Sequence, residues 1–235
     1  MAETLTEAAD RRPLVQLVPT PIGHLADITL RSLDALRQAD RIAAEDTRHS
    51  RRLLDHYAIE TPLLALHQHN EHQRIPALLA QVEAEAWHLA VITDAGTPGI
   101  SDPGFLIVRE ALARSLAVEA LPGPTAFVPA LVASGLPCDR FAFEGFLPVK
   151  KGRQTRLQEL ATEPRTLILY EGPHRLERTL AQLAEYLGGE RPAAIARELT
   201  KVYEEYIRGS LSDLVEHCRR IPPKGECVVV VGGRP

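Results

Sequence analysis

Short apolar runs alternate along this chain with longer amphipathic stretches, which predicts strands and helices in turn. Residues 14–18 form the first run, closed by Pro19, Thr20, Pro21 and Gly23. Leu30, Leu33 and Leu36 then repeat at the spacing of one helix face. A short run at 42–44 ends at Glu45, Asp46, Thr47 and Arg48, and Leu53 and Leu54 sit on a second helix. Residues 63–66 form a third strand, and Leu78, Leu79 and Val82 mark a third helix. Residues 89–92 form a fourth strand that runs into a long Gly/Pro loop. Residues 105–116 read as helix and 118–121 as strand, ended by Pro122, Gly123 and Pro124. This βαβα order implies a mostly parallel, Rossmann-like sheet covered by helices.

A second rhythm starts near Arg140. Strands are expected at 141–146 and 166–170, with helices at 151–161 and 176–187. Residues 193–197 and 202–207 read as paired strands, 211–220 as helix and 228–231 as a closing strand. Mixed pairing fits this half better than a purely parallel sheet. The expected fold class is therefore α/β in two domains. A disordered tail covers 1–13, an N-terminal α/β domain 14–137, and a C-terminal mixed-sheet α/β domain 138–235.

Composition narrows the class. A chain of 235 residues, 45% hydrophobic and 25% charged, is neither collagen-like, disordered nor a coiled coil. A net charge of −4 argues against a protein that coats nucleic acid by bulk electrostatics. The charge is uneven, with 11 basic and 17 acidic residues over 1–137 but 16 and 14 over 138–235. Four lysines stand against 23 arginines, and arginine suits forked recognition of phosphates and carboxylates. Three cysteines, Cys138, Cys218 and Cys227, make no C-x-x-C pair, which fits a reduced, cytoplasmic setting. No apolar run approaches the roughly 20 residues of a membrane helix, so no membrane partner is expected.

The chain lacks a G-x-G-x-x-G fingerprint, a Walker loop, a G-x-S-x-G elbow and an H-E-x-x-H helix. What remains is three Gly/Pro loops, each after a predicted strand: 19–23, 94–104 and 122–126. The carboxyl ends of strands in an open α/β sheet form its ligand crevice. Glycine there lets backbone approach a ligand, and proline sets the turn. Asp94 is placed to accept a hydrogen bond from an amine or hydroxyl.

Ordered motifs carry a family resemblance. They are VPTPIG at 18–23, AEDTR at 44–48, DAGTPGISDPG at 94–104, PGP at 122–124, FEGFLP at 143–148, YEGPHR at 170–175, ARELTK at 196–201 and KGE at 224–226. The set resembles the ribosomal small-subunit RNA 2′-O-methyltransferase I family, a branch of the tetrapyrrole-methylase-like (class III) fold, over about 14–233. His24, Thr93 and Gly172 depart from the family pattern beside three of these motifs. The resemblance implies methyl transfer from S-adenosylmethionine to the ribose 2′-hydroxyl of a decoding-centre cytidine in 16S rRNA of the small ribosomal subunit. It also implies a homodimer whose cofactor lies in the cleft between two α/β domains. By the same resemblance Pro19, Asp94, Ala95, Gly96, Thr97 and Ile100 cradle the methionine part, and Pro124, Thr125 and Ala126 line the same pocket. Tyr170, Glu171, Ala196, Arg197, Leu199 and Gly225 enclose adenine and ribose.

The hydroxyl loses its proton during or after attack, so a base nearby would help. Glu45 and Asp46 with Arg48, and Glu198 with Lys201, are the acceptor-side candidates. RNA contact is expected from local basic patches: Lys150, Lys151 and Arg153 as phosphate binders, Arg51 and Arg52 on a helix start, and His174 with Arg175. His67, His69 and His72 match no metal-site spacing, so no metal is expected, and the loop reads as polar, facing the acceptor. Two other readings stay open, a methyltransferase of a small tetrapyrrole-like substrate and a non-catalytic RNA- or ribosome-binding module.

Overall fold

A computed structural model describes residues 12–234. Most of the tail expected at 1–13 lies outside them. The chain divides into two compact units, Met1–Pro124 and Thr125–Pro235.

Unit 1 holds β1 (Leu14–Leu17), α1 (Leu30–Gln38), β2 (Arg41–Ala44), α2 (Thr47–His56), β3 (Leu63–Ala65), α3 (Glu71–Ala84), β4 (His88–Ile92), α4 (Phe105–Ala113) and β5 (Ala117–Ala120). The strands lie in the order β3-β2-β4-β1-β5, every pair parallel. Strand residues alternate between two apolar layers. Val18, Ile42, Ala44, Ala90 and Ile92 pack with Leu33, Leu36 and Leu54 of α1 and α2. Val15, Ala43, Leu89 and Val91 pack with Ile75, Leu79 and Ile107 of α3 and α4. A parallel sheet covered on both faces needs such continuous apolar strands. β1 connects across β4 to β2, whereas β4 connects across β1 to β5. The connections thus leave this central pair in opposite directions, where α/β sheets open a crevice.

Unit 2 holds α5 (Phe127–Val132), β6 (Phe141–Phe146), α6 (Arg153–Leu160), β7 (Thr166–Glu171), α7 (Pro173–Leu187), β8 (Pro192–Arg197), β9 (Glu205–Ser210), α8 (Leu211–Arg220) and β10 (Cys227–Val231). The order is β6-β7-β10-β8-β9, with β6 and β7 parallel and the other pairs antiparallel. One face carries Leu167, Leu169, Ile195, Val229 and Val231 against Leu157, Leu176, Leu180 and Leu214 of α6, α7 and α8. Strand alternation turns Ile168, Tyr170, Ala196 and Val228 to the opposite face. α5 packs on β7 and β10.

Three expectations change. The strand expected at 202–207 is Glu205–Ser210, because Val202 and Tyr203 lie in an exposed turn whose apolar side chains imitate a strand. α5 gives no signal in the sequence because its six residues, interrupted by Pro129, are too short for a helical period. The division between units falls after Pro124 instead of at 137, since α5 packs with the later strands.

Candidate functional site

The three Gly/Pro loops leave neighbouring strands β1, β4 and β5 on one edge of unit 1 and interlock. Thr20 and Gly96 exchange backbone hydrogen bonds of 2.9 and 3.0 Å, joining the first loop to the second. The Thr20 hydroxyl donates to the Thr93 carbonyl at 3.1 Å, and the Thr97 hydroxyl to the Pro124 carbonyl at 2.9 Å. Pro19 packs against Gly123, where an added Cβ would sit 2.5 Å from the proline ring. Gly96 adopts φ +83°, which a side chain at this position would strain. Pro19, Asp94, Ala95, Gly96, Thr97, Ile100 and Pro124 are thus brought together as a preformed cradle. Thr125 and Ala126 follow directly but belong to unit 2, where they lead into α5.

Beside the cradle stand acids from the ends of β2 and β4. Asp94 accepts the Asp46 amide at 3.2 Å. Burial, followed by the charge of Asp94, pushes the Glu45 carboxyl above its ordinary value of 4.5; the Asp94 amide and His67 pull it partly back. Asp46 caps α2, accepting from the amides of Arg48 at 2.8 Å and His49 at 3.4 Å. The Arg48 guanidinium adds a hydrogen bond of 3.1 Å, and these contacts hold the Asp46 carboxyl down at about 2. Asp46 and Arg48 therefore satisfy each other, and Glu45 is left as the acid whose protonation is poised. Arg51 and Arg52 are exposed on α2.

The Leu66 amide bonds to the Ala44 carbonyl at 2.8 Å, bringing His67 alongside Glu45. Asn70 fixes that imidazole. Its carbonyl oxygen accepts the His67 amide at 2.9 Å, so its amino group faces His67 Nε2 at 3.1 Å. The ring proton then sits on Nδ1, which is buried without a hydrogen-bond partner, as is the Ser50 hydroxyl. The sequence alone places His67 in a polar loop; the register of β3 on β2 gives it this place. Among the described residues no His/Cys/Asp/Glu group forms a metal site.

In unit 2 the carboxyl ends of β6, β7 and β8 meet the start of β10, which gathers Tyr170, Glu171, Ala196, Arg197, Leu199 and Gly225 at one edge. The acids here are paired. Glu171, 2% exposed, accepts from the Gly172 amide at 2.9 Å, the Thr179 hydroxyl at 2.7 Å and the Arg175 guanidinium at 2.7 Å. Those three partners make it a tie between β7 and α7. Burial works against the charge of Glu198, yet the Lys201 ammonium at 3.0 Å and the Glu226 amide at 3.1 Å outweigh it, and the carboxyl lies below its ordinary range. Lys201 also bonds Glu226 at 3.1 Å. Arg197 grips Glu205 at 2.7 Å. Leu199 and Ala196 are buried, and Gly225 passes so close to Glu198 that a Cβ would clash with its side chain.

Arg153 needs correcting. It is 7% exposed and turned inward onto Thr179 at 2.7 Å, Gln182 at 2.8 Å and the Pro148 carbonyl at 3.1 Å, so it is not offered to phosphate. Lys150, Lys151 and His174 are exposed. A cavity of about 490 Å³ opens on the α7/α8 side of the sheet, lined by Arg197, His217 and Lys224 among others, on the face opposite Tyr170 and Ala196.

Residues 15–215 match the tetrapyrrole (corrin/porphyrin) methylases. The chain is similar to the ribosomal RNA small subunit methyltransferase I of Synechocystis sp., 49% identical and covering 94% of this chain and 80% of that protein. It is also similar to the protein of the same name from Mesorhizobium japonicum, 50% identical, covering 99% of this chain and 79% of that one. In structure it is similar to Thermus thermophilus uroporphyrin-III C-methyltransferase complexed with S-adenyl homocysteine: 19% identity, TM-score 0.63, covering 93% of this chain and 96% of that one.

Proposed function

The chain belongs to the ribosomal RNA small subunit methyltransferase I family of the tetrapyrrole methylases, and on that premise we propose that it methylates a ribose 2′-hydroxyl of a decoding-centre cytidine in 16S rRNA. The observation that carries the reading is the edge of unit 1, where three interlocked loops stand beside Glu45 and Asp94, acids that make no ion pair with Lys or Arg among the described residues. S-adenosylmethionine is the cofactor, and when bound it supplies a methyl on a cationic sulfonium, displaced in line by an oxygen lone pair.

The residues fit that group. Asp94 offers a carboxylate to its ammonium, the Gly96 turn leaves backbone free of side chain, and the locally negative edge suits a cation. Preorganised loops hold the reacting oxygen and methyl at attack distance without reordering. Glu45 takes the hydroxyl proton as attack proceeds; its raised pKa makes it a stronger base than an ordinary carboxylate. Asn70 fixes the His67 ring in its place next to the Glu45 loop. Glu198 and Lys201 position the 197–201 turn through their mutual ion pair. Lys150, Lys151, His174, Arg175, Arg51 and Arg52 contact RNA phosphate. The enzyme works in the cytoplasm as a homodimer, which light scattering of the purified chain tests.

The deciding assay is tritiated methyl transfer to small ribosomal subunits lacking the modification, with ribose-methylation mapping. Label on one cytidine ribose is the expected result. Transfer only to a tetrapyrrole-like acceptor, or failure to bind S-adenosylmethionine, would overturn the proposal.

A further inference from the structure

Four of the five phenylalanines of the chain lie in unit 2 in one row with Tyr170. Phe127 and Phe143 tilt together with ring centres 4.9 Å apart. Phe143 meets Tyr170 edge-on at 5.0 Å, and Phe146 meets the same tyrosine at 5.7 Å and 65°. Contacts of this geometry hold each ring in one orientation. The row ends in solvent, because Phe146, the last residue of β6, is 52% exposed. Its neighbour Leu147 is buried at 3% and pins the chain from beneath.

The surroundings of that ring are cationic. The Arg175 guanidinium lies 6.0 Å from the Phe146 ring centre and is steadied by its 2.7 Å bond to Glu171. Lys150 and Lys151 follow four and five residues later, within about 18 Å along even a fully extended chain. Both are exposed, and neither makes an ion pair among the described residues. Two nearby acids, Glu144 and Glu159, are both held by Arg156, at 2.9 and 2.6 Å, and so are turned to that guanidinium. A cavity of about 460 Å³ lies against the ring, bordered by Pro148, Gly152 and Thr155 and, on its far side, by the Glu144–Arg156–Glu159 cluster.

A fixed aromatic face with a cation beside it and unpaired lysines within reach is the chemistry that takes an unstacked nucleobase and its flanking phosphates. We propose that Phe146 is a stacking platform for one base of single-stranded RNA, with Arg175 beside the base and Lys150 and Lys151 on the neighbouring phosphates. This rests on the RNA-methyltransferase reading above. It adds a base contact to a surface otherwise read only by charge. Duplex RNA, whose bases have no free face, gains nothing from the ring.

The test is anisotropy of a short fluorescein-labelled single-stranded RNA over a series of salt concentrations. Phe146→Ala should weaken binding about five- to a hundredfold and leave the salt slope unchanged, since no charge is lost. Phe146→Tyr should keep wild-type affinity, and Phe146→Leu should behave like the alanine variant. Duplex of the same sequence should bind wild type and Phe146→Ala alike. Unchanged affinity in Phe146→Ala, or full affinity in Phe146→Leu, overturns the platform. So does a wild-type dimer that Phe146→Ala splits into monomers without loss of RNA binding, which makes the face a contact between copies. Wild-type protein that binds no RNA overturns the platform together with the RNA reading. Protein that binds RNA through Phe146 without methylating ribosomal subunits sinks the reading of the reaction alone.

Discussion

At the end of β2 in unit 1, Glu45 has burial and the neighbouring charge of Asp94 to contend with, and its carboxyl is pushed up. At the end of β7 in unit 2, Glu171 is more deeply buried but has an amide, a hydroxyl and a guanidinium on its oxygens. The residue type and its place after a strand are the same. Partners make the difference. A buried acid with a full set of donors is a structural tie, whereas one beside another acid is poised to exchange a proton or receive a cation. The same contrast runs along both edges: Glu198, Glu226 and Glu205 are each ion-paired with Lys201 or Arg197 in unit 2, while Asp94 in unit 1 is held, among the described residues, by a backbone amide alone.

The largest expected effect tests the poised acid. Glu45→Gln should lower kcat by about a hundred- to ten-thousandfold with S-adenosylmethionine affinity retained, as befits loss of a general base. The wild-type acid limb of kcat should sit above pH 4.5, because a raised pKa means the base form appears later as pH rises. Equal kcat in Glu45→Gln would erase the contrast between the two edges.

Next comes Asp94→Asn, which keeps an oxygen for the Asp46 amide but removes the charge. Calorimetry should show cofactor affinity about ten- to a hundredfold weaker, the range of a charged hydrogen bond. Unchanged affinity sinks the cradle assignment.

The tie is expected to matter for stability instead. Glu171→Ala should cost about 1–3 kcal/mol by stranding Thr179 and the half-exposed Arg175, read as a lower denaturant midpoint. Cofactor affinity of the folded variant should be unchanged.

Lys150→Glu and Lys151→Glu should each reduce the slope of RNA affinity against salt by about 1, whereas Arg153→Gln should leave the slope alone and lower the melting temperature. A shift in slope for Arg153→Gln would restore it to the RNA surface.

The smallest effect concerns Asp46. Its carboxyl is held at about 2 against an ordinary 3.8. Its stabilising contribution is therefore present above 3.8 and is lost as pH falls from there towards about 2. Asp46→Asn should flatten that part of the stability profile in acid urea titrations.

Much of this was legible along the chain. The parallel sheet of unit 1 follows from apolar runs that lack a polar alternation, and the three ligand loops from Gly and Pro directly after those runs. α5 was not legible, because six residues carry too little periodicity. Val202 and Tyr203 misled for the converse reason, being apolar residues in a turn. Arg153 sits in a basic segment, and no local signal tells an arginine that faces phosphate from one that faces Thr179 and Gln182.

Residue type and spacing settled most of the elements, the loops on the crevice edge and the family, since these are written in local order. Charge environment was settled by folding. Whether Glu45, Glu171 or Glu198 is poised or paired depends on residues brought beside it by sheet register and helix packing. Glu171 meets Thr179 across eight positions, Glu198 meets Glu226 across twenty-eight, and Glu45 meets Asp94 because β2 and β4 are neighbours in the sheet. A carboxylate's energy is set by its nearest charges and donors in space, and sequence distance says little about either.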